Sequence, residues 1–166
     1  MLAGGNRKIH SPMEVHIRKA TETEIEILLE FEQGIVATER PYDNSLKEGE
    51  IHYYDLIELI KSEKAEVLVA VVNNEIIASG FAKIIGAEPY NKFREYSYLG
   101  FMFVKPVYRG HGINKLILEK LINWSKEKGM TEVRLEVYQE NENAKIAYHK
   151  AGFKPHLLQM RLEIKK

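Results

Sequence analysis

Val104-Lys-Pro-Val-Tyr-Arg-Gly-His-Gly-Ile-Asn114 joins two stretches of different period, and the fold follows from that junction. Before it, Glu95–Val104 is a long aromatic run that reads as a strand. After it, Gly112–Lys128 is amphipathic at helical spacing, with Ile113, Leu116, Ile117, Leu121 and Trp124 on one stripe and Gly129 as the stop. Between them lies Arg109-Gly-His-Gly112. Glycines let backbone N–H groups approach an anion closely, and the helix start adds unpaired donors and partial positive charge. Arg109 adds a fork of donors, and Lys105, His111, Lys115 and Lys120 make the stretch locally basic. A diphosphate is the natural guest. A Walker loop requires Gly-Lys-Ser/Thr, which is absent, and a dinucleotide loop requires a third glycine where Lys115 stands. The alternative is a tight turn before a surface helix, with Arg109 solvated.

Working outward, strand-like and helix-like stretches alternate. Glu14–Lys19 has period two. Thr21-Glu-Thr-Glu24 is a capping box opening an acidic helix that carries Ile25, Leu28 and Leu29. Pro41, Asp43, Asn44 and Ser45 break the chain, and a second helix is predicted from about Glu50 to Ser62. Val67–Val72 reads as a buried strand, Asn73-Asn74 as a hairpin turn and Glu75–Ile85 as the return strand. Thr131–Tyr138 alternates with Val133, Leu135 and Val137 inward. Asn141–Ala151 is a short helix stopped by Gly152, and Leu157–Ile164 is a last strand. The expected fold class is α/β: one domain with a mixed, mostly antiparallel sheet flanked by helices. Only the strand–helix–strand unit 95–138 demands a parallel pair.

A second constellation follows the first. After Leu135-Glu-Val137 comes Asn143-Ala-Lys-Ile-Ala-Tyr148-His-Lys-Ala-Gly-Phe153. With the Arg109–Asn114 loop, in this order and at this separation, it resembles the GNAT superfamily of N-acetyltransferases. The resemblance is specific from about 99 to 153; upstream, only the order of elements agrees. The loop departs at Asn114, where the family usually has Gly or Ala. The resemblance implies a GNAT-like domain over 13–166 whose sheet splays at the cofactor site. It implies acetyl-CoA as co-substrate. Met102, Phe103 and Val104 would offer backbone groups to pantetheine. Arg109, Gly110, His111, Gly112, Ile113 and Asn114 would hold the pyrophosphate, and Asn143 and Tyr148 would lie along the pantetheine and near the sulfur. The reaction would be direct attack of a primary amine on the thioester, with Tyr148 as general acid. Read from the residues alone, Tyr148 could be a core tyrosine and Asn143 a helix cap.

The general base has candidates in Glu39, Glu95 and Glu136, with a water path as the default. The acceptor side would be built from 30–44 and 86–98. These carry Glu30, Glu32, Glu39 and Asp43 with Tyr42, Tyr90, Phe93, Tyr96 and Tyr98; Glu39, Tyr42 and Tyr98 are the nearest candidates for acceptor binding. Acids and aromatic faces suit an ammonium on a small molecule or peptide. A CoA-binding module without turnover, regulatory or degenerate, is the alternative function.

Bulk composition narrows the field. The 166 residues suffice for one domain, and 45% are hydrophobic. Twenty-four basic residues balance 24 acidic ones, which argues against nucleic acid as partner. No cysteine is present, so disulfides, zinc–thiolate sites and a cysteine nucleophile are excluded, and the six histidines show no metal spacing. No apolar run approaches a membrane span, and residues 1–12 read as a flexible leader rather than a signal peptide. A cytoplasmic location fits, and a homodimer is allowed without being required.

Overall fold

The computed structural model describes residues 12–165. Its elements are β1 (His16–Lys19), α1 (Ile25–Glu39), α2 (Leu56–Lys61), β2 (Ala65–Val72), β3 (Glu75–Gly86), β4 (Glu95–Val104), α3 (Ile113–Glu127), β5 (Val133–Arg134) and α4 (Glu142–Lys150). Residues 1–11 of the expected leader lie outside the described part.

The five strands stand in sequence order, with β1 to β4 antiparallel and β5 parallel to β4. This is the predicted architecture. The parallel pair is possible because α3 carries the chain back across the sheet. The hairpin forms at Asn73 and Asn74, both at positive φ (48° and 64°), as a two-residue turn requires. The α1 helix is introduced by a 3-10 turn at Glu22–Glu24, where the Glu24 carboxylate accepts the Thr21 N–H (2.9 Å).

The sheet has two cores. On one face α1 and α2 bury Leu28, Phe31, Ile35 and Leu56 against Val67, Val69, Phe81 and Phe101. On the other, α3 buries Ile113, Ile117, Leu118 and Leu121 against Leu68, Ile77 and Leu99, with Tyr148 and Phe153 packed beside them. The α3 stripe differs from the expectation at one position: Leu116 is exposed and Leu118 is buried.

Three further expectations are corrected. The helix predicted from Glu50 begins only at Leu56. The Glu32 carboxylate, fully buried on α1, accepts the N–H groups of Tyr53 (2.7 Å) and Tyr54 (3.0 Å), which holds that segment out of the helix. Asp55 then caps α2 through the Glu58 N–H (2.9 Å). The strand predicted over 131–138 shrinks to Val133–Arg134, and Val137 is exposed. The last strand, 157–164, does not form; its residues are exposed and without regular structure.

Candidate functional site

The site begins with an irregularity in β4. Pairing with β3 shifts by one residue between Ser79 and Phe81, and Phe101 takes φ 58°, a left-handed angle uncommon outside glycine. The Ser79 hydroxyl donates to the Phe101 carbonyl (3.0 Å). The extra residue reverses the side-chain alternation. Before it, Leu99 points to the α3 core and Tyr98 to the α1 core. After it, Phe101 and Phe103 face α1, while Met102 and Val104 face α3.

Beyond Tyr98 no strand takes the outer edge of β4 among the described residues. Pairing with β5 covers only Ser97↔Val133 and Tyr98↔Arg134. The edge of 99–104 is therefore open, and its backbone groups there can serve an extended ligand chain.

The open edge runs into the glycine loop. Pro106–Tyr108 is one 3-10 turn. It is braced to β3 by Lys105 Nζ (2.7 Å) and Tyr108 Oη (2.9 Å), both on Glu75. Arg109 Nε donates to the Val104 carbonyl (3.0 Å), which fixes the guanidinium at the strand end. His111 Nδ1 lies 3.0 Å from the Arg109 carbonyl. Gly112, at φ 76°, is the N-cap of α3, and no side chain caps that end. The first helical bond is Leu116 N–H to the Gly112 carbonyl (3.2 Å), leaving Ile113, Asn114 and Lys115 N–H free of helical partners. No acidic residue lies in the first turn. The arrangement suits an anion, and Asn114 sits half-buried within it.

Across the gap stands α4. Its cap is Asn141, whose side chain accepts the Ala144 N–H (3.2 Å), so Asn143 is not the cap and lies exposed in the first turn. Tyr148 packs edge-on to Phe153 at 6.0 Å. Burial, and then the charge of Glu39, push its pKa up to about 12.

The end of α1 is fixed by close packing. Gly34 lets the Phe103 ring lie against the helix, where a Cβ would overlap it, and Phe31 stacks on Phe103 at 4.7 Å. Five residues on, Glu39 is half-buried. Burial raises its pKa, the Tyr53 hydroxyl opposes the rise, and the charge of Asp43 adds to it. Tyr53 Oη is buried without a well-formed hydrogen bond. Burial and the nearby Glu39 carboxylate drive its pKa upward. Tyr138 Oη donates to Asp43 (3.2 Å), and the Tyr42 and Tyr138 rings lie 6.0 Å apart. Asp43 is held well below the usual carboxylate range by Ser45 and then by Arg161. Tyr98 lies half-buried on the α1 face, and burial followed by the charge of Glu136 raises its pKa.

The structure thus separates the three predicted bases. Glu39 faces the tyrosines of the cleft. Glu95 is paired with Lys64 (2.8 Å) at the far end of β4. Glu136 is exposed and near Tyr98. Of the other predicted acceptor residues, Glu32 is buried as a pin for the 52–54 segment. Phe93 and Tyr96 are covered by the Arg134 guanidinium, 5.6 and 4.3 Å from their ring centroids. Tyr53 and Tyr138 were missed as site residues. One lies in a segment read as helix, the other at the end of a segment read as strand; neither has a local signal.

A sequence profile of the acetyltransferase (GNAT) family matches residues 30–153. N-alpha-acetyltransferase 30 of Saccharomyces cerevisiae is 35% identical over 66 residues, 40% of this chain and 38% of that protein. The ribosomal protein bS18-alanine N-acetyltransferase of Haemophilus influenzae is 46% identical over 50 residues, 30% of this chain and 34% of that protein. The match thus spans little more than a third of the length of these relatives. Among solved structures, a predicted acetyltransferase with acetyl-CoA from Clostridium acetobutylicum superposes with a TM-score of 0.71 at 22% identity, covering 90% of this chain and 96% of that one.

Proposed function

The chain belongs to the acetyltransferase (GNAT) family, and we propose that it moves an acetyl group from acetyl-CoA to a primary amine by direct attack of the amine on the thioester. The observation that carries this reading is the meeting of three features: the open edge of β4, the uncapped start of α3, and the charge of Glu39 felt by Tyr148. Acetyl-CoA supplies an activated acyl group on a thiol leaving group; the rest is work for the protein's own residues.

The N–H groups of Ile113, Asn114 and Lys115, with the free end of Arg109, suit the pyrophosphate, and Gly110, His111 and Gly112 shape that cradle. The open edge at Met102, Phe103 and Val104 suits the pantetheine amides, and Asn143 borders their path. A backbone N–H at this edge, aimed at the developing oxyanion, contributes about 3 kcal/mol in comparable sites. Tyr148 keeps its proton at neutral pH and acts as a hydrogen-bond donor to the sulfur. Its raised pKa makes full proton transfer to a thiolate of pKa about 8.5 unfavourable, so stabilisation rather than outright protonation is its main part.

Glu39 is the base. Burial, and then the charge of Asp43, raise its pKa, which makes it a better proton acceptor than an ordinary glutamate. A peptide α-amine, with an ordinary pKa of about 8, needs little help to lose its proton, whereas an alkylamine near 10 needs about 4 kcal/mol at pH 7. One relative described above is named an N-alpha-acetyltransferase and the other an N-acetyltransferase of an alanine of ribosomal protein bS18, which supports a peptide α-amine as the acceptor. Tyr42, Tyr98 and Tyr138 offer ring faces beside Glu39 and Asp43 for the incoming ammonium.

The test is release of free thiol from acetyl-CoA with peptides bearing free N-termini, aminoglycosides and polyamines. Turnover greatest with peptides supports the reading. Tight CoA binding with no turnover on any amine would replace it with a CoA-binding module.

A further inference from the structure

Among the described residues, segment 154–165 makes side-chain hydrogen bonds through Arg161 alone. Those bonds converge on one loop. One guanidinium nitrogen donates to Asp43 Oδ1 (2.9 Å) and to the Ser45 hydroxyl (3.2 Å), and the other donates to the Asn44 side-chain oxygen (3.3 Å). A carboxylate, a hydroxyl and an amide oxygen thus meet one group that only donates. A guanidinium, planar and with five N–H donors and no acceptor, is the side chain that fits.

The loop keeps its shape without Arg161. Ser45 donates to Asp43 Oδ1 from its N–H (3.0 Å) and its hydroxyl (2.6 Å), and Tyr138 Oη donates to the other oxygen (3.2 Å). The Arg40 guanidinium turns back to the carbonyls of Lys47 and Gly49 and closes the loop. The loop also stands on the acceptor side. Asp43 ends the 3-10 turn Arg40–Tyr42 that continues α1 past Glu39, and the Tyr42 and Tyr138 rings lie 6.0 Å apart next to it.

We propose, building on the acetyl transfer to an amine inferred above, that the Asp43–Asn44–Ser45 loop is a subsite for an arginine side chain of the acceptor peptide, which Arg161 occupies as a tethered competitor. As a structural tether Arg161 would hold nothing in place. No residue of 154–165 belongs to either core, and Leu157, Met160, Leu162 and Ile164 are 89%, 85%, 88% and 84% exposed. The Arg161 side chain is itself half exposed, so its release returns the guanidinium to water at little cost. A site filled from within binds an outside ligand only for the fraction of time it stands empty. Acceptors without a basic side chain do not contend with Arg161 for the loop, so the competition bears on one class of peptide.

Titration calorimetry with N-acetyl-arginine amide tests the subsite without turnover, since this probe has no free amine to acetylate. Arg161→Ala should bind it about tenfold more tightly than wild type, and Arg161→Lys, which keeps a competing cation, should fall between them. Asp43→Asn should abolish the gain. Equal or weaker binding by Arg161→Ala overturns the proposal. In thiol-release assays Arg161→Ala should lower KM about tenfold for peptides with arginine after the N-terminal residue, with kcat, and KM for alanine there, within about twofold. An equal change for both peptides overturns the arginine subsite. Turnover with unchanged probe affinity overturns this inference alone. Tighter probe binding without turnover on any amine overturns acetyl transfer while the cation site stands.

Discussion

Replacing Glu39 by Gln tests the proposed base, because the side chain keeps its shape and loses its ability to accept a proton. A positioned base contributes about 10²–10⁴ in rate. A peptide α-amine with pKa of about 8 is already about one-tenth neutral at pH 7, so the loss should fall at the low end, about 10²-fold in kcat/KM. With an alkylamine of pKa about 10 the neutral fraction is roughly a thousandth, and the loss should be larger. Burial and Asp43 raise the Glu39 pKa. The wild-type rate should accordingly fall as pH drops through a value above the ordinary carboxylate range, and E39Q should lack that limb. Stability moves the other way. A carboxyl with a raised folded pKa binds its proton more tightly when folded, so its contribution falls as pH rises through the window between the unfolded and folded values. Above that window ionised Glu39 costs stability, and E39Q should melt at the same temperature as wild type or higher. The assay is a pH–rate profile from about pH 4.5 to 9 by thiol release, with thermal melts alongside. A rate within about twofold of wild type across that range would leave water as the base. A fall in both rate and melting temperature would mark Glu39 as structural.

Three further outcomes are expected. Tyr148→Phe should lower kcat by about tenfold or more while leaving the affinity for CoA within about twofold, by titration calorimetry, since one hydrogen bond to the departing sulfur is lost. Gly112→Asp and Gly112→Asn should fold alike, because both residues tolerate left-handed angles; the aspartate should weaken CoA binding by about tenfold more, as its charge occupies the anion position at the start of α3. Glu32→Ala should lower stability by about 3 kcal/mol, or about 6–12 °C in Tm, by leaving the Tyr53 and Tyr54 N–H groups and His52 without their buried acceptor. His52, whose pKa the Glu32 hydrogen bond raises, contributes stability that is fully present below its unfolded pKa and is lost as pH rises through the folded value, so the Glu32→Ala penalty should shrink at alkaline pH.

Much of the cofactor side was legible because it depends on local rules. Two glycines at positive φ, an uncapped amphipathic helix and an aromatic strand are each written within a few residues, and each appears where read. The acceptor side was not. Glu32 looked like one more acid on a helix face, yet it is buried 21 and 22 residues in sequence from the N–H groups it satisfies, and that contact replaces a predicted helical turn by loop. Phe101 carries no mark of a left-handed angle; the bulge arises where β4 must keep pairing with β3 while turning Phe103 onto Gly34.

By itself the sequence determined the mixed α/β fold and the glycine turn before α3, since both rest on periodicity and spacing along the chain, and it carried the pair of motifs whose family resemblance points to CoA. Only the tertiary structure distinguished the three carboxylates from one another. Glu39, Glu95 and Glu136 are chemically equal as letters. Burial, and then the charge of Asp43, raise the pKa of the first, while Lys64 occupies the second and the third is exposed. Such differences of environment are made by residues far apart in the chain and exist only once the sheet has opened between β4 and β5.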